Sequence, residues 1–310
     1  MDMKKRKNSI LITRDEKLLR IISYLFVVVY VVICFYPFWN VFVNSIANKE
    51  ESVRGVYFFP KAPTIKVYRD LLFDGSFLRS VGISFSRTVL STVGCLVFSA
   101  MFAFLITQEN LPYRKFIYRF AIITMYVSGG IIPWYLVMKA YGLYNTFFVY
   151  VVPNLLGVYY CILIKTYIES LPPSLIEAAK IDGAGFVTVF FKIVLPLSKP
   201  ILATVALYQA VGQWNAYQDN YLLVQDQALQ TVQMTLYNYI HNAESVAKAM
   251  QQAAMSGADI TELAKNAANA TTADTVRNAT TVMSMLPIMM VYPFLQKYFA
   301  KGIMMGAVKG

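Results

Sequence analysis

Six mostly apolar runs, each about 20 residues long, alternate with polar stretches along the chain: Ile21 to Val43, Thr88 to Thr107, Phe120 to Met138, Phe147 to Ile168, Ile201 to Leu223 and Thr280 to Phe299. Their apolarity is continuous and does not alternate, so they predict helices and exclude the ten-residue alternating strands of a membrane barrel. A hydrocarbon core about 30 Å thick needs roughly 20 helical residues, because only a helix or a closed barrel satisfies every backbone group in lipid. The expectation is an all-α membrane protein with six transmembrane helices. Between the fourth and fifth runs lies a more polar stretch, Pro172 to Pro196. There Ser174 stands three residues before Glu177, the spacing of a reciprocal capping box, and predicts the start of a short helix. Gly183 then supplies the left-handed residue that closes it, and a second helical run, Phe186 to Ile193, leads to Pro196.

Two of the apolar runs are interrupted. The third contains Ser128-Gly129-Gly130-Ile131-Ile132-Pro133-Trp134-Tyr135, and such a break is tolerated in lipid only where protein or water satisfies the freed backbone groups. Trp134 and Tyr135 read either as interfacial anchors or as rings that stack on a ligand. The second half of the fifth run is amphiphilic, with Tyr208, Gln209, Gln213, Trp214, Asn215, Tyr217, Gln218, Asp219 and Asn220. Lipid would not accept that face. Tyr135, Gln209, Gln213, Trp214, Asn215 and Tyr217 are therefore candidates to line a route for a polar, neutral solute, the alternative being hydrogen bonding between helices. Arg87, at the outer end of the second run, reads as a snorkelling residue, with a place on the solute route as the sharper alternative.

Composition agrees with the pattern. Apolar residues make up 57% of the 310 and charged residues only 15%, against about a quarter charged in soluble domains. Cys34, Cys95 and Cys161 each lie inside an apolar run and read as small packed hydrophobes, not as a disulfide framework. The first run follows Lys4, Lys5, Arg6 and Lys7 but is too long for a signal peptide and lacks a small-residue cleavage site, so it is read as a retained helix. If six spans put both termini on one side, that side holds seventeen of the 28 Lys/Arg and nearly all of the net charge of +11. By the positive-inside rule it is cytoplasmic, which places the Glu177 loop there as well. The organisation is a basic cytoplasmic tail, residues 1–20, followed by a transmembrane domain, residues 21–310. That domain carries an outer loop from Asn44 to Ser80, a cytoplasmic loop over 169–200 and an outer segment, rich in Ala, Thr, Asn and Gln, over 226–278. Nucleic acid is excluded as a partner, since the basic residues flank spans and form no aromatic-basic surface.

Catalytic chemistry has little to stand on. His241 is the sole histidine, which excludes a histidine-rich metal site, and no G-x-x-x-x-G-K-[ST] phosphate loop occurs. The spans are read as lacking the acidic residues that proton-coupled carriers commonly use. Any energy coupling must enter from a partner, for which the helix-turn-helix around Glu177 is the docking surface. An ATP-independent secondary carrier or channel is the competing reading, and a membrane subunit with no solute path is a third.

Glu177-Ala178-Ala179, then Gly183, then Ile193 and Leu195-Pro196, resembles the cytoplasmic EAA loop of permease subunits of ABC importers of the type I fold. Ile181-Asp182-Gly183-Ala184 and Leu197-Ser198-Lys199-Pro200 extend it toward the maltose-type carbohydrate branch. Tyr126 to Tyr135, Trp214-Asn215, Leu229-Gln230 and the ending Gly302 to Gly310 are similar to its permeases for polysaccharides or complex oligosaccharides. The resemblance implies a non-catalytic subunit that pairs with a second permease subunit, two cytoplasmic ABC ATPase subunits and an extracellular solute-binding protein. ATP and magnesium would sit on the ATPases, and no cofactor on this chain. It implies that Glu177, Ala178, Ala179, Ile181, Asp182, Gly183, Leu195 and Pro196 couple to the ATPase. The apolar residues Leu175, Ile176, Ala178, Ala179 and Ile181 would fill a groove, and Glu177 would pair with a basic residue or complete the capping box. Ala216-Tyr217-Gln218-Asp219 after Trp214-Asn215 departs from the family's usual acidic or aromatic continuation, which shifts weight for the sugar site to the partner permease.

Overall fold

The computed structural model describes residues 14–48, 51, 55–73, 75–241, 274–291 and 293, and the regular elements among them are helices. Helix α1, Arg14–Ser45, opens with Asp15 and Glu16 in its first turn, where negative charge complements the helix dipole. Its apolar side chains from Leu18 to Phe38 are exposed around the whole circumference. Such a helix can be stable only against lipid or another chain. Near its end Val43, Ser45 and Ala47 become buried, and Ser45 Oγ meets Tyr68 Oη at 2.5 Å, joining it to α2, Lys66–Phe73.

Helix α3, Gly75–Thr107, is the axis of the fold, packing most extensively on α9, Lys199–Asn215, and on α6, Val158–Glu169. A stripe of small residues makes this close approach possible: Ser84, Ser91, Cys95, Ser99, Ala100 and Ala103 are all buried. At Gly94 an added Cβ would lie 2.4 Å from Leu155 Cδ2, so the glycine sets how near the neighbouring segment comes. α3 begins at Gly75 and not at the predicted Thr88. Its first half carries Arg79, Ser80, Ser84 and Arg87, which hide it from a hydropathy reading, yet Phe77 packs with Leu71, Val232 and Ala279 in a buried cluster.

The third predicted run is α4, Arg114–Tyr126, and α5, Ile131–Ala140, separated at residues 127–130. Gly130, with φ 85° and ψ −178°, occupies a backbone region that belongs essentially to glycine. The fourth run is two tight turns, Phe147–Tyr150 and Val152–Asn154, meeting α6 at a bend of 41°. Short helix α7, Pro173–Ile181, follows, and then α8, Phe186–Val189, which runs through a wide π turn, Phe190–Val194, into Leu195–Leu197. Pro196 explains the wide turn. In an unbroken α-helix its ring would strike the carbonyl of residue 192; instead the Leu195 N–H reaches back five residues to Phe190 O. After a 76° bend α9 begins.

The fifth predicted run is therefore not one helix. α9 stops at Asn215, and α10, Gln218–Leu223, starts after an extended Ala216. Helix α11 covers 232–241 and α12 covers 274–291, beginning before the predicted Thr280. By length and composition α1 and α3 can each cross a membrane, and the bent segments 147–169 and 186–215 add two crossings if each is a single span. The Ala-rich tracts between 244 and 270 and the ending Gly302 to Gly310 lie outside the described residues.

Candidate functional site

Two places combine unusual backbone with exposed or polar chemistry. The first is α7. Pro172 and Pro173 start the helix two residues earlier than the capping box suggests, because Pro at the first helical position is pre-organised for it. Ser174 consequently stands inside the first turn, no side chain caps the helix, and the capping box with Glu177 does not form. The far end closes as predicted: Gly183 takes φ 77°, Gly183 N–H donates to Lys180 O at 3.1 Å and Ala184 N–H to Ala179 O at 2.9 Å. This pair of bonds is a Schellman closure, and its apolar contact is made by Ala179 and Ala184 in the inner core.

The expected apolar groove-filling face of α7 divides in two. Ala179, 8% exposed, and Ile176 pack inward on the bundle with Val189, Phe190 and Val194. Leu175 and Ile181, 43% and 86% exposed, point away with Glu177, Ala178 and Asp182. Positions 174, 177, 178 and 181 share one helical face, and that face is the part of α7 left for a partner. Phe104 of α3 holds the following segment, its ring 4.6 Å from Phe186 and 5.2 Å from Phe190. Leu195 joins the same core, while Pro196 is exposed.

The second place is a cavity of about 790 Å³ beside the α4–α5 break, lined by Ser128, Gly129, Gly130, Trp134, Asn154, Gln213, Ala216, Gln218, Asp219 and Arg87 among others. Arg87 does not snorkel. It is 1% exposed, and Asp219 binds it with both oxygens, Oδ1 accepting from Nη1 at 2.9 Å and Oδ2 from Nη2. Its Nε donates to Gln213 Oε1 at 3.0 Å, Nη1 also to Ala216 O at 3.1 Å, and the Tyr150 ring lies 4.7 Å from Cζ. Tyr150 is itself fixed: its carbonyl accepts from Ser91 Oγ and Asn154 Nδ2, and its hydroxyl donates to Leu229 O. The fifth predicted run thus does contain an acidic residue, Asp219, engaged by a cation from α3. Both residues were visible in the sequence; their pairing was not, because 132 positions separate them.

Of the six route candidates only Gln213 faces this cavity. Gln209 is buried. Trp214 is 7% exposed and donates from Nε1 to Ser284 O at 2.8 Å, tying α9 to α12. Asn215 is exposed, accepting from Gln233 Nε2 at 3.5 Å. Tyr217 stacks on Tyr237 with centroids 5.1 Å apart. Tyr135 turns to the other side of α5, edge-on to Tyr144 and against the Val149–Tyr150 cluster. Trp134 spans both surroundings, lining the cavity and packing on that cluster. Behind the cavity, Asn220 Oδ1 accepts from the N–H and the hydroxyl of Thr231, while Ser84 Oγ accepts from Val232 N–H. These bonds seat the start of α11 on α10 and α3.

The chain matches the family model described as "Binding-protein-dependent transport system inner membrane component" over residues 95–256. Protein LplC of Bacillus subtilis is 36% identical over 285 residues, covering 88% of this chain and 89% of that protein. The polygalacturonan/rhamnogalacturonan transport system permease protein YtcP of the same organism is 32% identical over 296 residues, covering 95% and 99%. A chain from the crystal structure of a bacterial ABC transporter involved in the import of the acidic polysaccharide alginate superposes with a TM-score of 0.79 at 27% identity, covering 93% of this chain and 98% of that one.

Proposed function

Because the chain belongs to the family of binding-protein-dependent transport system inner membrane components, we propose that it is the permease subunit of an ATP-driven importer of oligosaccharides or polysaccharide fragments. It is a non-catalytic membrane subunit with the ABC importer permease fold. A second permease subunit, two cytoplasmic ATPase subunits that carry ATP and magnesium, and an extracellular solute-binding protein complete the assembly. Six spans with both termini in the cytoplasm fit the concentration of Lys and Arg on one side. On that topology loop 169–200 faces the ATPases and 226–278 faces outside. That the solute is a saccharide, irrespective of its charge, is supported by the relatives, among them a permease named for polygalacturonan and rhamnogalacturonan and an importer of alginate.

The observation that carries the reading is the two-sided α7. Closure of a soluble ATPase dimer moves a membrane span only through an element that both bodies hold. Ile176 and Ala179 are held by the bundle, and Leu175, Glu177, Ala178 and Ile181 remain for the ATPase. The test is to purify the tagged chain from its native membrane, identify co-purifying subunits, and measure saccharide uptake into proteoliposomes with and without ATP and binding protein. Co-purification of an ATPase and ATP-dependent uptake are expected. Uptake by the chain alone, independent of ATP, would establish a secondary carrier or channel instead.

A further inference from the structure

The cavity beside Gly130 holds one cation and one anion among its described lining residues, Arg87 and Asp219, and each is committed to the other. A guanidinium has five N–H donors. Four of those on Arg87 are used, by Gln213 Oε1, Ala216 O and the two Asp219 oxygens, and the ring of Tyr150 covers the group. One donor is left, too few for the bidentate grip with which arginine takes a carboxylate. Other polar groups on the wall, Thr124, Ser128, Asn154 and Gln218, are uncharged, and with the indole of Trp134 they suit sugar hydroxyls and ring faces.

We infer that the Arg87–Asp219 pair sets the charge selectivity of this cavity, so that its wall accepts uncharged saccharides and discriminates against those bearing uronate carboxylates. The inference rests on the saccharide-importer reading above. A uronate entering here meets no free cation among the described residues of this wall; to reach Arg87 it must expel Asp219, which exchanges one ion pair for another and leaves a partly buried carboxylate without its partner. Neutral hydroxyls are matched without disturbing the pair. Selectivity is thus opposite in sign to the polymers named for two of the relatives, polygalacturonan and alginate, although the fold is shared.

The test uses the assembled detergent-solubilised complex without its binding protein, so that the binding protein's own preference does not enter. Saturation-transfer NMR compares a matched pair of probes, galactotriose and trigalacturonate, at millimolar concentration. The expected result for the native complex is binding of galactotriose, with trigalacturonate weaker by roughly tenfold or more. Asp219→Asn, which frees the guanidinium, should shift the ratio toward trigalacturonate; Arg87→Gln with Asp219→Asn, which removes both charges, should return it toward galactotriose. Equal or stronger binding of trigalacturonate by the native complex overturns the inference whether or not either variant assembles. An unchanged ratio in assembled Asp219→Asn also overturns it. Binding of neither probe by the native complex likewise overturns the inference, and if ATP-dependent uptake of every saccharide is also absent the importer reading itself falls.

Discussion

Replacing Gly183 isolates backbone strain from crowding. Its φ is 77°, and a Cβ added there meets nothing within 4 Å, so the cost of a side chain lies in the backbone conformation alone. For an L-residue in the left-handed region that cost is about 1–2 kcal/mol, with asparagine tolerated best. Gly183→Ala should therefore reduce the population of the closed α7 end by a factor of about 5–30, and Gly183→Asn by less. Gly183→Pro is worse on two counts. Proline cannot reach a positive φ, and it removes the N–H that donates to Lys180 O at 3.1 Å; the bond adds about 1 kcal/mol. Uptake into proteoliposomes, ATP hydrolysis by the same preparations and extraction from membranes form the assay. Uptake should fall in the order Gly, Asn, Ala, Pro with insertion unchanged, and Gly183→Pro should hydrolyse ATP without transport. Native transport by Gly183→Pro, or Ala outperforming Asn, would refute the argument that this closure transmits the ATPase movement.

Asp219→Asn, which leaves the 1%-exposed Arg87 charge without its counter-ion, should destabilise the protein by about 3 kcal/mol, and Arg87→Met, which leaves the partly exposed Asp219 unpaired, by about 2 kcal/mol, while Arg87→Met with Asp219→Leu should recover most of either loss; thermal unfolding in detergent checks all three. Glu177→Gln should weaken co-purification of the ATPase while leaving helix content unchanged, because Glu177 is exposed and α7 has no side-chain cap to lose. A drop in helix content with normal ATPase retention would return Glu177 to a purely local role. Trp214→Phe removes the indole N–H that donates to Ser284 O at 2.8 Å, and should lower stability by about 1 kcal/mol. Saccharide preference in the NMR comparison should not change; a change would make Trp214 a solute contact.

Much of the fold was legible because lipid demands continuous apolarity, a signal carried by each segment alone. Gly183 was legible for a similar reason, since a left-handed closure after two turns needs no distant neighbour. The same local logic misplaced the start of α7: Ser174 has the right spacing to Glu177, but the two prolines before it move the helix start, and the cap position with it. The early part of α3 was hidden because Ser80, Ser84 and Arg87 on it are polar yet face protein instead of lipid. At the cavity, the amphiphilic residues of the fifth run were conspicuous, yet which of them face the void depends on the chain turning after Asn215. Trp214 then falls to α12 and Asp219 to Arg87, contacts that no periodicity within one segment encodes.

The wide turn at Phe190–Val194 has a consequence for counting. A backbone bond spanning five residues, Leu195 N–H to Phe190 O, stores one residue more than an α turn would hold. Between Gly183 and Pro196 the chain therefore holds one residue more than an unbroken α path with the same number of turns, kept in place by the proline that follows it. Alignments that slide this loop by a single position compare equal path lengths with unequal residue numbers, and a graft of the loop onto another permease would keep its aim only if that extra residue travels with Pro196.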